Sequence, residues 1–212
     1  WASRFFKYYE ECRTFGLIYF VAPGSNAGKS RNEDAFAEKF YITDLGKKLI
    51  SSIDDDDWLN PSSSAEEEIV WASIIAKYQS NNPFCLRLQS MCPFPLFMKV
   101  LIELKKIPDI KQKIYMREIP IFLLWPNNDW KTLIEFLLKF RSEVSYNKNS
   151  YFIEDYILKE IGASKSWTSK GSLNSARDKF YRLLGASGLF ERSIWTIGIS
   201  PSREDLIRYI AN

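Results

Sequence analysis

The chain has 212 residues, 46% of them hydrophobic, with 29 lysines and arginines against 26 acids and no histidine. That length can bury a substantial core in one large domain or two small ones. Without an imidazole, Ser-His-Asp and Cys-His catalysis, histidine-ligated zinc and histidine-dependent nuclease chemistry are excluded, leaving carboxylate or lysine chemistry, or binding alone.

A net charge of +3 is too small to mark a nucleic-acid binder, but the charge is unevenly spread. Asp54 to Glu68 carries −7, whereas Lys99 to Arg117 and Gly162 to Arg182 carry +4 each. Such segregation predicts a basic face for phosphates and an acidic side turned away from them. The cysteines, Cys12, Cys85 and Cys92, are odd in number and read as buried free thiols in a reducing cytoplasm. There is no apolar run of membrane-span length and no opening signal segment, so a cytoplasmic protein without a membrane partner is expected. The chain opens on Trp1 rather than methionine, which leads us to expect a piece of a longer protein.

Residues 1–60 are expected to form a first winged-helix subdomain. "WASRFFKYYEEC" places Trp1, Phe5, Tyr8, Tyr9 and Cys12 on one helical face, with Ser3 and Lys7 opposite and Arg4 at the border. "FGLIYFV" reads as a strand, "EKFYIT" as its return and "DLGKKLISS" as a short helix capped by Thr43 or Asp44. Between the strands lies a long polar tip with Asn26, Lys29 and Arg31. Its "PGSNAGKS" resembles a phosphate-binding loop, yet Pro23 stands where that loop needs a glycine. Lys29 is therefore expected to meet DNA phosphate or solvent.

Residues 61–93 read as a linker and a connecting helix, "AEEEIVWASIIAKYQ", with Ser64 and Glu67 as a capping box. Residues 94–212 are read as a helical segment followed by a second winged-helix subdomain. Apolar residues at three- and four-residue spacing predict helices over Phe94–Ile107, Met116–Trp125, Asp129–Glu143 and Tyr151–Ile161. The next helix buries Leu173, Ala176, Phe180, Leu183 and Leu184. It projects Asn174, Ser175, Asp178, Lys179 and Arg182, with Arg177 near the edge. "ASGLFE" and "SIWTIGI" are expected to pair around a short wing, Glu191–Ser193, before a terminal helix with Ser200 as cap and Pro201 first. The fold class is thus mainly α with small β-hairpins: tandem winged-helix, or helix-turn-helix, subdomains joined by a helical segment.

Glu103-Leu104-Lys105 has the Glu-x-Lys spacing of metal-dependent nucleases, but no strand-borne aspartate precedes it and its segment has helical spacing. A surface ion pair on an amphipathic helix is the commoner reading. The 33 aromatic residues could stack on bases, but most fall on core faces, with Trp167 ambiguous. The strongest functional signal is "SWTSKGSLNSARDKFYR", whose hydroxyl, amide and basic residues suit phosphates and base edges.

In order along the chain, "FGLIYFV", "KFYITDLGKKLI", "FPLFMKVLIELKK", "NSARDKFYRLLGASGLFE" and "SREDLIRYI" resemble the N-terminal recognition region of AlwI-type, type IIS restriction endonucleases and their nicking relatives. The resemblance implies winged-helix subdomains that bind a short asymmetric duplex site. A separate C-terminal nuclease domain then cleaves outside it with a PD-(D/E)xK site and Mg2+. The implied DNA contacts are Lys170, Ser172, Asn174, Ser175, Arg177, Asp178, Lys179 and Arg182, with Ser3, Arg4, Lys7, Asn26, Lys29 and Arg31 of the first unit. No catalytic residue or cofactor is expected in this chain, whose partners would be double-stranded DNA and the nuclease domain, and which would act as a monomer. A tandem winged-helix regulator or replication initiator, a protein-interaction scaffold using the −7 stretch, and a self-sufficient nuclease using Glu103 and Lys105 remain rival readings.

Overall fold

The computed structural model describes Cys12 and residues 15–20, 40–52, 65–77, 92–108, 111–144, 150–162 and 172–211. The chain divides into two compact units, Trp1–Met91 and Cys92–Asn212. The first helix, the long tip, the linker with Ser64, Cys85 and Trp167 lie outside the described residues.

In the first unit the expected strands form over three residues each. β1 (Ile18–Phe20) pairs antiparallel with β2 (Phe40–Ile42), with Tyr19 opposite Tyr41. α1 (Asp44–Ser52) starts where Thr43 predicts, because the Thr43 hydroxyl accepts from the Gly46 amide at 3.0 Å and satisfies a free helix-end donor. The same hydroxyl donates to the Gly16 carbonyl at 2.8 Å, and Gly16 takes a left-handed turn at φ 69°. α2 (Ala65–Lys77) contributes Val70 and Ile74 to a cluster with Leu17 and Leu49, flanked by Cys12, Phe15, Leu45 and Trp71. Glu67 accepts from the Trp71 indole at 3.1 Å.

α1 approaches the start of β1 so closely that a Cβ on Gly46 would stand 2.3 Å from the Leu17 carbonyl oxygen and 2.8 Å from the Ile42 side chain. Backbone on one side cannot yield as a flexible side chain does. Gly46→Ala is expected to cost about 1–3 kcal/mol through overpacking, although alanine is the better helix former; a denaturant melt of this unit's signal measures it.

The second unit is organised on α3 (Pro93–Leu104). Pro93 and Pro95 sit in its first turn, where no amide donor is required, and Leu96 makes the first helical bond to the Cys92 carbonyl at 3.0 Å. Nine of its twelve residues are buried, so it is a central helix and not the amphipathic surface helix expected from the sequence. It ends at Leu104, ahead of Pro108, which disfavours helical backbone at Ile107.

The stretch expected as one helix over Met116–Trp125 opens as a 3-10 turn (Met116–Glu118) and becomes α-helical only in α4 (Ile119–Leu124), with β3 (Ile114–Tyr115) immediately before it. Ile114 is fully buried opposite Ile197, a strand pairing not expected from the sequence. α5 (Trp130–Glu143) is capped by Asp129, whose carboxylate accepts from Lys131 and Thr132. α6 (Ser150–Ile161) and α7 (Ser172–Ala186) follow. β4 (Phe190–Arg192), β5 (Thr196–Ile199) and α8 (Glu204–Ala211) close the chain. The antiparallel sheet runs β3-β5-β4, with β5 central. Ser200 does not cap a helix as expected: its hydroxyl meets Ser202, and a 3-10 turn over Pro201–Arg203 precedes α8.

Candidate nucleic-acid interface

α7 presents two chemically distinct sides. Leu173, Phe180 and Leu184 are buried, and Phe180 stacks on Phe94 of α3 with ring centroids 4.5 Å apart. Phe97 of α3 meets Phe180, Phe122 of α4 and Phe190 of β4 edge-on at 4.9–5.7 Å. One aromatic cluster thus fixes α7 and the start of the β4–β5 hairpin together. Asp178 and Arg182 face outward as an ion pair at 3.0 Å one turn apart. Such an exposed pair contributes little to stability, so Arg182 can exchange its partner cheaply.

Arg177 goes the other way. Its guanidinium lies 3.8 Å from Glu154 on α6, and both side chains are largely buried. The Arg177 Nε and one Glu154 oxygen make no hydrogen bond in this arrangement. Burial pushes the Glu154 carboxyl above the usual carboxylate range, Arg177 partly offsets this, and Asp155 adds to it.

The hairpin is held against α7 by three contacts. The Tyr181 hydroxyl donates to the Ser193 carbonyl at 2.9 Å. The Arg192 guanidinium lies over the Tyr181 ring at 5.1 Å, and it covers Gly185 so closely that a Cβ there would fall 2.0 Å from it. With its carbonyl engaged by Tyr181, Ser193 closes the turn with its hydroxyl, which accepts from the Thr196 amide at 3.1 Å. The Ser193 amide donates to the Thr196 carbonyl at 2.8 Å. The tip is therefore Ile194-Trp195, beyond the Glu191–Ser193 wing expected from sequence.

β3 is fastened from behind. Arg141 of α5 donates to both oxygens of the fully buried Glu118, at 2.8 and 2.9 Å, and to the carbonyls of Lys111 and Lys113, each at 2.8 Å. Glu118 also accepts from the Tyr115 amide at 2.8 Å.

The Glu-x-Lys residues separate. Glu103 pairs with Lys106 at 2.8 Å and with Lys99 at 3.5 Å, whereas Lys105 binds Glu204 of α8 at 2.6 Å. Burial alone would raise the Glu103 carboxyl, but the two lysines outweigh it and hold it below its ordinary range. The carboxylate and lysine that would share a metal-bound water serve different partners. Among the described residues no three acidic, cysteine or histidine side chains converge as a metal site.

A family model described as AlwI restriction endonuclease matches residues 14–211. The chain belongs to the AlwI restriction endonuclease family. Its members are type II restriction enzymes, so DNA is the partner of an AlwI-family chain. No curated protein matches it, and no described helix is long and apolar enough to cross a membrane.

Of the AlwI-family chain's expected contact residues, Arg177, Asp178, Lys179 and Arg182 are placed on α7, and Ser172, Asn174 and Ser175 belong to its first turns. Side-chain positions are described for the first four alone. Ser3, Arg4, Lys7, Asn26, Lys29, Arg31 and Lys170 lie outside the described residues. Sequence reasoning missed Tyr181, Arg192, Ile194, Trp195 and Arg141. For the hairpin a signal existed, since Ser193 and Thr196 bracket two residues, a common turn length between paired strands. Of the cysteines, Cys12 and Cys92 are half-buried rather than buried, and burial pushes the Cys92 thiol up.

Proposed function

We propose that this chain is the DNA-reading part of a type IIS restriction endonuclease, binding a short asymmetric duplex site while a separate domain of the parent protein cleaves with Mg2+. The observation that carries this reading is the joint clamping of α7 and the β4–β5 hairpin on one aromatic cluster, with Asp178 and Arg182 turned to solvent. The sheet order β3-β5-β4, with a helix leading directly into β4, supports treating the unit as a winged helix. α7 would then enter the major groove. Asn174 and Ser175 would read base edges from its first turns, and Lys179 and Arg182 would take phosphates.

Arg177 receives a different role: its pairing with Glu154 supports α7 from behind. The first unit would add a second contact through Ser3, Arg4, Lys7, Asn26, Lys29 and Arg31. Assigning Mg2+ to a separate domain agrees with Glu103 and Lys105 being held in unrelated ion pairs. Binding is taken to be monomeric, since an asymmetric site needs no two-fold partner.

Selection of bound duplexes from a random pool at moderate salt tests this. One short asymmetric sequence is expected; a palindrome would favour a dimeric regulator, and no enrichment would overturn the assignment. Lys179→Ala and Arg182→Ala are each expected to weaken binding similarly across sequences. Each should also reduce the slope of log affinity against log salt by about 1, which titration at four salt concentrations measures.

A further inference from the structure

Ile194 and Trp195 are 76% and 62% exposed, large apolar side chains at the point of the β4–β5 hairpin. Single exposed apolar residues are ordinary, and exposure alone would mean nothing. What distinguishes this pair is the rigidity of its support. The Trp195 carbonyl accepts from the Met116 amide at 2.8 Å, which ties the tip to the end of β3. Tyr181 holds the Ser193 carbonyl on the other side, and the hydroxyls of Ser193 and Thr196 meet across the turn at 2.8 Å. The backbone is thus fixed on both flanks while most of each side chain is exposed.

The surroundings indicate the partner. In sequence, Lys113 and Arg117 stand either side of the Met116 anchor, and Arg192 precedes the turn with its guanidinium over the Tyr181 ring. Against them stand Glu191, which lies 4.0 Å from Lys113, and Glu118, which is buried on Arg141. An apolar point on a cationic collar suits the floor and walls of a nucleic-acid groove: bases in the middle, phosphates at the rims. A minor groove about 6 Å wide is too narrow for the two strands themselves but admits the side chains carried at the hairpin's tip.

We propose that Ile194 and Trp195 form a wedge that enters the minor groove beside the α7 contact, partly unstacks one base step and bends the duplex. This rests on the DNA-reading assignment above and extends it: specificity would include the deformability of a step that α7 does not touch. Flexible pyrimidine–purine steps would be favoured there, since they unstack at the lowest cost. The backbone of the tip is already held when DNA arrives, so little backbone entropy is lost on insertion.

The test uses a duplex recovered by the selection, carrying 2-aminopurine at successive positions beyond the α7 footprint. The parent chain should raise fluorescence at one step and retard the duplex as a bent complex. Trp195→Ala should abolish both and weaken binding about tenfold, Trp195→Phe should retain most of each, and the melting temperature of both variants should match the parent. If Trp195→Ala binds and bends like the parent, the wedge is wrong while the recognition reading stands. If the parent selects no duplex, both fail. Loss of self-association in Trp195→Ala with unchanged DNA binding would assign the tip to an interface between copies and would equally overturn the wedge.

Discussion

Phe97→Ala is expected to lower the unfolding free energy by about 3–5 kcal/mol and to abolish DNA binding at temperatures where the parent is folded. Phe97 is fully buried and its ring meets Phe122, Phe180 and Phe190, one from each of α4, α7 and β4. Truncation leaves a cavity that the aromatic neighbours cannot fill without leaving their edge-on geometry. Phe97→Leu, which keeps most of the volume, should cost considerably less. Equilibrium denaturation measures the loss. A titration of the selected duplex well below the variant's melting temperature separates poor docking of α7 from global unfolding.

Arg141→Ala should be comparably severe, at about 3–5 kcal/mol, for a different reason. The substitution strands a carboxylate: Glu118 is 0% exposed, and Arg141 supplies a donor to each of its oxygens. It also frees the carbonyls of Lys111 and Lys113, and with them a two-residue strand too short to hold its register unaided. Most of the penalty is the unpaired buried charge. The double variant Arg141→Met with Glu118→Leu should therefore recover much of the lost stability, as replacing a buried ion pair with apolar residues often does. DNA affinity should remain depressed in the double variant if β3, and the Met116 amide that anchors the hairpin tip, depend on the Arg141 strap. Full recovery of affinity would show that β3 is held by sheet pairing alone.

These effects mark where the sequence was legible. Periodicity and punctuation located most of the described helices: Asp129 caps α5 as expected, Thr43 caps α1, and Leu173, Phe180 and Leu184 form the buried side of α7. Both hairpins were legible as pairs of short apolar runs, because strands alternate and turns interrupt them within a few residues. The candidate site was only partly legible. Lys179 and Arg182 could be assigned to the polar side of α7 from spacing. Arg177 sits at the border between faces, where spacing cannot decide direction. Its partner Glu154 belongs to another helix, so the local pattern carries no trace of the pairing.

By itself, the sequence determined that this chain has no histidine chemistry, that basic residues gather in two stretches, and roughly where most of the described helices and hairpins lie. Those properties depend on residue identity and on spacing within a few positions. Tertiary structure alone decided that Ile114 and Tyr115 form a strand, that α3 is central, that Arg141 is spent on Glu118, and that Trp195 projects from a fixed tip. Each of these depends on which distant group lies opposite. A two-residue strand has no periodicity to read, and the direction of a long charged side chain is set by the nearest carboxylate, wherever the chain has brought it.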